Sequence, residues 1–320
     1  MKFVTDIIGT ELKTFEKKFS QAVESNTPFL DTIMKYIIKR KGKQLRPMFV
    51  FLSARLHGPV NESTYRAAAL VEMLHTATLV HDDVVDESFE RRGFFSINAV
   101  WKNKIAVLVG DYLLSKGLLL STSNEDFQHL HILSDAVRKM SEGELLQIEK
   151  SRKLNLDEEV YFEIIRNKTA SLLSSACGVG AYSTTKSQEI TEQMKLFGEK
   201  VGIAFQIKDD LFDYGNEDVG KPTGNDIQEK KLTLPLIFTL NNMERSGKKE
   251  LIYIIKNENK DKKRVQHVID TVVKTGGIEY ARKKMFEYRD EALAILHSFP
   301  EGPERKALEE LVRYTTDRKY

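Results

Sequence analysis

The sequence predicts an all-α protein of ten or more helices. Apolar residues recur at intervals of three or four along much of the chain, as in the series Leu70, Leu74, Ala77 and Val80, and this is the spacing of one helix face. Alternating strand-like runs bounded by hairpin turns are scarce. The 320 residues include only 7 prolines and 18 glycines. Most of these lie between the periodic segments, which favours long helices joined by short connections.

Size and composition set the first limits on function. The chain is 41% hydrophobic and 30% charged, which suits a water-soluble globular protein with a large core in one or two domains. A net charge of +2 provides no global field for nucleic acid. The single cysteine, Cys177, rules out an internal disulfide framework and suits a reducing compartment. We expect Cys177 to be a packed small side chain.

We expect no targeting signal and no membrane span. The N-terminal stretch contains acidic residues and no long apolar core, so it predicts an amphipathic helix instead of a signal peptide. The most apolar later run, residues 105–120, is interrupted by Asp111 and Lys116 and does not reach the ~20 apolar residues of a membrane span. The expected location is the cytoplasm.

An acidic cluster stands inside the apolar helical run from Glu72 to Arg92. Asp82 and Asp86 are four residues apart and share a helix face, with Asp83 beside them. Like charges this close raise one another's pKa unless a cation is present. A hard divalent ion would meet that need.

The same arrangement recurs later in FQIKDDLFDYG, as Asp209, Asp210 and Asp213. Two copies on two helices predict two carboxylate clusters that face each other across a cavity. Mg²⁺ prefers one or two carboxylates per ion, several waters and the oxygens of a substrate phosphate. Other residues of the site should therefore bind phosphate.

Two basic turns could supply phosphate contacts. Lys43 and Arg46 stand just before an apolar helix, and Arg91 and Arg92 follow the first acidic cluster; Arg offers a planar fork and Lys a mobile point charge. The alternatives are a solvated turn for the first pair and compensation of a helix dipole for the second. The run Glu142 to Glu149 predicts an ordinary helix face.

The segment 214–231, YGNEDVGKPTGNDIQEKK, is too polar and glycine-rich for a core helix. A loop of this length inside a compact domain is usually functional, and we predict a flexible lid that carries Lys221 and Lys231. Plain exposed surface is the alternative. Together, the acidic helices, the basic turns and this lid point to a diphosphate substrate with an apolar tail.

These motifs resemble those of the trans-isoprenyl diphosphate synthases, and specifically the medium- to long-chain polyprenyl branch, with an octaprenyl-like pattern. GKQLRP is similar to the family's G-G-K-x-x-R-P, and HTATLVHDDVVDES with RRG to its first aspartate-rich motif. FQIKDDLFDY with GKPTGNDIQEKKLTLP is similar to the second. The resemblance runs from about Gly42 to Pro235. It implies a single isoprenoid synthase-type domain, residues 1–320, built as a helical bundle around a central cavity and commonly a homodimer.

The resemblance also implies roles for individual residues. Mg²⁺, at three ions per site and with Mn²⁺ able to substitute, would be held by Asp82, Asp83, Asp86, Asp209, Asp210 and Asp213. The isopentenyl diphosphate would be bound by Lys43, Arg46, His75 and Arg92. The allylic diphosphate would contact Arg91, Lys168, Lys221 and Lys231, with Thr169 and Gln206 at the reacting centre. Two departures, Lys41 and Lys230 at family glycine positions, put the loop geometry in doubt and leave the chemistry intact.

The implied reaction is head-to-tail (1'-4) condensation by a prenyltransferase. Isopentenyl diphosphate adds to an allylic diphosphate, farnesyl or geranylgeranyl, with release of diphosphate and formation of an all-trans polyprenyl product for quinone synthesis. Such a reaction needs no protein nucleophile. A short-chain C15 or C20 synthase, a terpene cyclase and a non-catalytic synthase subunit are the alternatives; the cyclase would not need Lys43, Arg46 and His75, and the subunit should lack one acidic cluster.

Product length depends on the helix turn before the first aspartates. The growing tail should pass Ala77 and Thr78, where short-chain members of the family have an aromatic floor, and then Met73 and Leu74. Small residues at the first of these turns leave the tunnel open. We therefore expect a product longer than geranylgeranyl diphosphate, with peripheral membrane contact when this apolar product is released.

Replacing Ala77 by phenylalanine tests this expectation. The aromatic ring should fill the tunnel about one helix turn from Asp82 and shorten the product sharply. The length of the dephosphorylated product, compared with that of the unchanged chain, measures the effect. An unchanged product length would mean that the tunnel runs elsewhere.

Overall fold

The computed structural model describes residues 2–39, 42–91, 93–153, 157–215 and 224–317, and this part of the chain is almost entirely helical. Its α-helices are α1 (Lys2–Ala22), α2 (Pro28–Lys39), α3 (Leu45–Arg55), α4 (Glu62–Val85), α5 (Ile97–Thr122), α6 (Phe127–Lys153), α7 (Glu158–Ile165), α8 (Ser171–Thr185), α9 (Gln188–Phe212), α10 (Asn225–Gln228), α11 (Leu234–Asn241), α12 (Arg245–Asn257), α13 (Lys262–Lys274), α14 (Gly277–His297) and α15 (Pro303–Asp317). The all-α prediction is confirmed.

Two short elements interrupt the helical pattern. Strands β1 (Glu90–Arg91) and β2 (Phe94–Phe95) form an antiparallel hairpin in which Glu90 pairs with Phe95. Between α7 and α8, the five residues Arg166–Ala170 form a π-helical turn. Such turns inside helices are frequently found at functional sites, and this one contains two of the predicted site residues.

Contacts between Cα atoms divide the chain into two compact units. Unit 1 comprises residues 1–137, 172–195 and 300–308, and unit 2 comprises residues 138–171, 196–299 and 309–320. The first acidic cluster belongs to unit 1 and the second to unit 2. That the chain forms one domain stays a prediction, as does the cavity between the clusters.

The core of unit 1 is built around α3. Seven successive residues of this helix, from Met48 to Ala54, are buried, so α3 is covered on all sides, as a helix that is apolar all round requires. Phe51 contacts Phe15 of α1 edge to face, with ring centroids 5.8 Å apart. On α8, a Cβ at Gly180 would lie 2.4 Å from the carbonyl oxygen of Val50. The glycine therefore allows α8 to approach the backbone of α3.

Helices α4 and α5 pack side by side in unit 1. A Cβ at Gly110 would overlap the His81 ring, so this glycine makes room for the histidine between the helices. The other side of α5 exposes apolar residues, including Leu108 and Leu119.

Among the described residues, α5 is the one helix long and apolar enough to cross a membrane. The expectation that the chain contains no membrane span stays a prediction. Asp111 and Lys116 interrupt the apolar run of α5, but the helix is still apolar enough on average to cross a membrane. Core helices of globular proteins can be as long and as apolar as α5.

Unit 2 has its own apolar core, formed where α11 packs against α7, α13 and α14. Leu234, Leu236 and Ile237 of α11 are fully or almost fully buried. Ser246 and Gly247 lie in the first turn of α12. The apolar spacing of Leu251, Ile254 and Ile255 extends the helix back through them, since one glycine costs only ~1 kcal/mol in a helix.

A buried polar cluster joins the start of α4 to the start of α6 in unit 1. Ser63 donates a hydrogen bond to Asp126 at 2.9 Å and lies 2.8 Å from Nε2 of His129, while Arg66 forms an ion pair with Asp126. Burial lowers the pKa of His129 to about 4, although Asp126 favours the protonated ring and Lys186 and Arg66 oppose it. His129 is 1% exposed, whereas His131 is exposed, as their alternate spacing predicts.

Stability should therefore fall in mild acid. The unfolded chain binds a proton at His129 near pH 6.5 and the folded chain only near pH 4, so the free energy of unfolding decreases as the pH is lowered between these values. In the His129→Phe variant, the free energy of unfolding should depend less on pH in this range. It is measured by urea denaturation at several pH values. The control variant His131→Phe, at an exposed position, should show the same pH dependence as the unchanged chain. An equal pH dependence in all three proteins would contradict the role of His129.

Candidate active site

The first aspartate cluster lies at the C-terminal end of α4. Asp82 is half-buried, Asp83 is 4% exposed, and Asp86 is the exposed C-cap residue. The C-terminal end of a helix carries partial negative charge, and the last turn of α4 contains no basic residue. Three carboxylates at this position therefore repel both one another and the helix dipole, and an added cation would relieve both repulsions.

Backbone contacts hold this helix end in place. The carbonyl oxygen of Asp83 accepts hydrogen bonds from the Asn98 side chain at 3.0 Å and from the Ser88 N–H at 2.9 Å. Because α4 ends at Val85, Arg91 lies in strand β1, not at the end of the same helix as the sequence reading assumed. Arg92 lies outside the described residues.

Two predicted contacts for isopentenyl diphosphate meet in unit 1. Arg46, in the first turn of α3, lies with Nη1 2.8 Å from Nε2 of His75 on α4. Arginine has no acceptor, so His75 accepts through Nε2 and carries its ring proton on Nδ1. Lys43 is exposed just before α3. The α3–α4 packing therefore brings Arg46 and His75 together.

The residues predicted to set product length lie on α4 and are buried to different extents. Ala77 and Met73 are fully buried and Leu74 is 7% exposed. Thr78 is half-buried, and its hydroxyl donates to the carbonyl oxygen of His75 at 2.9 Å. The small side chain at position 77 thus points into the protein, while the Thr78 hydroxyl is satisfied by its own helix.

The second aspartate cluster lies at the C-terminal end of α9, again without a basic residue in the last turn. Asp209 is exposed, whereas Asp210 is 6% exposed. Burial raises the pKa of Asp210 to about 6, against hydrogen bonds from Gln206 and Tyr161 that favour the carboxylate. The two adjacent aspartates therefore occupy very different environments, which the sequence could not distinguish.

Asp213 holds the chain where it returns from the predicted lid. Its carboxylate accepts the backbone N–H groups of Asn225 at 2.8 Å and Asp226 at 3.1 Å, at the start of α10. Burial and the charges of Asp210 and Asp213 raise the pKa of Asp226 to about 7. Sequence reasoning missed Asp226, although it stands in the second quoted motif.

Lys168 and Thr169 lie in the π-helical turn. Lys168 forms an ion pair with Glu144 and donates to Gln147 at 3.4 Å. Both partners belong to the run 142–149 of α6, for which the sequence predicts an ordinary helix face. Thr169 donates to Gln206 at 2.7 Å. The turn thus brings Thr169 and Gln206 into contact, and their role at the reacting centre stays a prediction.

The remaining basic residues of the second motif are ordered by local contacts. Lys231 forms an ion pair with Glu229. Lys230 has φ +60°, the left-handed region that favours glycine, and its ammonium donates to the carbonyl oxygen of Lys256 at 2.8 Å. This bond, at the C-terminal end of α12, favours lysine there. Lys221, Lys41 and residues 216–223 lie outside the described part of the chain.

The donor set fits a hard divalent cation. It consists of carboxylate oxygens at two helix ends that lack a basic residue in their last turns. Within the described ranges, no three His, Cys, Asp or Glu side chains are close enough together to hold a metal ion by themselves. A site that takes one or two carboxylates per ion, with waters and substrate phosphate completing the shell, does not need such a group.

Comparison with known proteins agrees with the helical fold and with these motifs. Residues 27–272 match the family described as Polyprenyl synthetase. The all-trans-nonaprenyl-diphosphate synthase (geranyl-diphosphate specific) of Rhodobacter capsulatus is 34% identical over 99% of this chain and 98% of its own. The octaprenyl diphosphate synthase of Escherichia coli (strain K12) is 32% identical over 95% of both chains. The crystal structure of a decaprenyl diphosphate synthase from Rhodobacter capsulatus superposes with a TM-score of 0.93, at 34% identity and 98% coverage of each chain.

Helical fold, aspartate motifs and sequence similarity together define a prenyltransferase. The chain belongs to the polyprenyl synthetase family, in which a divalent metal is used.

Close helix packing should be essential around the π-helical turn. A Cβ at Gly202 of α9 would lie 2.5 Å from Cα of Ala170, and one at Gly143 of α6 would lie 2.9 Å from the Lys168 nitrogen. Both glycines thus allow backbone to approach this turn. Gly202→Ala should push α9 from the turn and destabilise the protein by about 1–3 kcal/mol.

The measurement is the free energy of unfolding together with the rate of product formation. Gly9→Ala is the control, because a Cβ at Gly9 would meet nothing within 4 Å; it should leave both quantities nearly unchanged. Full stability and activity of Gly202→Ala would show that the turn tolerates displacement.

Proposed function

We propose that this chain makes an all-trans medium- to long-chain polyprenyl diphosphate by adding isopentenyl diphosphate to an allylic diphosphate. The observation that carries the proposal is the pair of aspartate clusters, each at the C-terminal end of a long helix without a basic residue in its last turn. A divalent ion bound to a diphosphate would add positive charge at both ends. Mg²⁺ is the proposed ion, with three ions per site and Mn²⁺ able to substitute.

The allylic substrate reacts by ionisation. Its C–O bond breaks, and the electron pair leaves with the diphosphate, whose developing charge is stabilised electrostatically in the site. Divalent ions held by the aspartates supply part of that stabilisation. Lys168 and Lys231, with Arg91 and Lys221 by analogy to the motifs, bind the same diphosphate; the first two must exchange their present partners Glu144 and Glu229 for it.

The second substrate supplies the nucleophile. The double bond of isopentenyl diphosphate attacks the allylic cation, a C–C bond forms, and the released diphosphate takes up the proton that is lost. Arg46 and His75 are already in contact, so the proposed role of the pair is to hold this diphosphate, with Lys43 and Arg92 completing its contacts. Thr169 and Gln206 lie at the reacting centre in this proposal.

The proposed chain length is from about hexaprenyl to decaprenyl, in line with the names of the relatives. Small, buried Ala77 supports a tunnel that is open one turn before Asp82. A C15 or C20 synthase is the alternative. The proposed primer is farnesyl or geranylgeranyl diphosphate, and quinone side-chain synthesis is the proposed use of the product.

The proposed assembly is a homodimer in the cytoplasm. Exposed apolar residues of α5 and of the hairpin, among them Leu108, Leu119, Phe94 and Phe95, support an interface with a second copy. Covering this surface would remove it from water and account for the apolar character of α5 without a membrane span. Peripheral membrane contact during product release is also proposed.

The test is to incubate the purified protein with Mg²⁺, labelled isopentenyl diphosphate and, separately, geranyl, farnesyl and geranylgeranyl diphosphate. Sizing the dephosphorylated product should give a ladder that ends at one defined long chain, and a chelator should prevent its formation. A ladder that stops at C15 or C20 would overturn the chain-length proposal, and no elongation would overturn the proposed reaction.

Asp82→Asn provides the matched test of the first cluster, with Asp111→Asn on α5 as the control. Loss of one carboxylate from the cation-binding end of α4 should reduce elongation strongly, because a bound metal contributes several kcal/mol to stabilisation of the transition state. Asp111 is exposed, and its variant should elongate at the normal rate. Equal rates in the two variants would contradict a role for Asp82.

A further inference from the structure

A buried tyrosine outside every motif contacts the second aspartate cluster. Tyr161 of α7 is 4% exposed, and its hydroxyl donates to Oδ2 of Asp210 at 2.7 Å. Burial, together with the adjacent carboxylate, raises the pKa of this hydroxyl further above its usual range. The hydroxyl therefore keeps its proton and acts only as a donor toward Asp210.

The other oxygen of Asp210 is also occupied. Oδ1 accepts from the Gln206 amide at 2.9 Å, and the Gln206 carbonyl accepts from Thr169 at 2.7 Å. Three consecutive hydrogen bonds thus link α7, α9 and the π-helical turn through Asp210. The amide orientation of Gln206 follows from this chain, because Asp210 can only accept from NH₂ and Thr169 donates to the oxygen.

The three carboxylates of the second motif consequently differ in what they can do. Asp213 is bound to two backbone N–H groups at the start of α10, and Asp210 is bound through both oxygens to side chains of unit 2. Asp209 is the exposed member. Asp209 and Asp210 are adjacent in the last turn of α9, so a displacement of this turn moves both residues.

We propose that Tyr161 is a positioning residue that fixes Asp210 as a buried anchor, so that α9 presents Asp209 to the cation of the diphosphate site. The inference rests on the proposed function, because Asp209 has this task only in an enzyme that binds a cation with diphosphate. It goes beyond the motif, which treats the three aspartates alike and does not include Tyr161.

The physical effect expected from losing the hydroxyl is on orientation. Without it, Oδ2 of Asp210 loses its side-chain partner, and a buried carboxylate turns or draws water to regain one. The end of α9 would then no longer hold Asp209 in one direction. Groups that orient metal ligands typically contribute ten- to 100-fold to metal affinity or activity, so the loss should be roughly tenfold or more.

The experiment compares Tyr161→Phe with Tyr280→Phe. Tyr280 of α14 donates to the two oxygens of Glu158 at 2.7 and 2.8 Å, so its variant also loses a tyrosine–carboxylate bond to a residue of α7, but one away from the aspartates. Both variants keep the aromatic ring and should fold. Binding of Mn²⁺ in the presence of inorganic diphosphate is measured by electron paramagnetic resonance, alongside Tm without metal and steady-state kinetics.

Tyr161→Phe should weaken Mn²⁺ binding by about tenfold or more and lower kcat, with the KM for isopentenyl diphosphate unchanged, whereas Tyr280→Phe should lower only Tm. A Tyr161→Phe protein that loses Tm but keeps its Mn²⁺ affinity and kcat would reduce Tyr161 to a structural role and overturn the inference. An unchanged chain that binds no Mn²⁺ with diphosphate would overturn the proposed function as well, so the two failures are distinguishable.

Asp209→Asn and Asp210→Asn provide an independent comparison. If Asp210 is the anchor, the Asp209→Asn variant should lose Mn²⁺ binding at an unchanged Tm, because the side chain of Asp209 is exposed. Asp210→Asn should lower Tm in the absence of metal, because the amide keeps only one of the two oxygens that accept from Tyr161 and Gln206. If Asp210→Asn kept its Tm, Asp210 would not be an anchor and the inference would be wrong.

Discussion

Negative charge at the C-terminal ends of α4 and α9 is the constraint on which the candidate site depends. Each end combines the partial charge of the helix dipole with aspartates, and neither last turn contains a basic residue. Within unit 2, burial adds to this: the pKa of Asp210 is raised to about 6 and that of Asp226 to about 7. A cation near such an end stabilises its charged form, and this couples the fold to a charged ligand.

Close helix packing provides the rigidity that this charge requires. In unit 1, α8 approaches the backbone of α3 at Gly180, and in unit 2, α9 approaches the π-helical turn at Gly202. The turn carries Lys168 and Thr169, which bond to α6 and α9. Charged and polar groups are thus fixed by apolar helices that cannot shift without overlap, and electrostatic preorganisation of this kind is what an ionisation reaction demands.

The hydrogen bonds inside unit 2 distinguish the three aspartates of the second motif. Asp210 and Asp213 use their oxygens to tie α7, α9 and α10 together, while Asp209 stays exposed. The backbone of Lys230 is in the left-handed region, which would suit glycine better, but its ammonium donates a hydrogen bond at the end of α12. A departure from the family pattern is therefore compatible with local order.

The sequence alone determined the fold class and the two aspartate clusters, because helical periodicity and motif spacing are local properties of the chain. The reaction class followed from the resemblance of the motifs to a known family. The sequence also placed Cys177, which is buried, among the packed residues. It could not separate Asp209 from Asp210, which share a motif and differ only in their neighbours, and it took α4 to extend to Arg91. Tyr161, Glu144 and Gly202 became visible only in the tertiary structure, since their partners are 24 to 49 residues away and burial, not sequence position, decides what they contact.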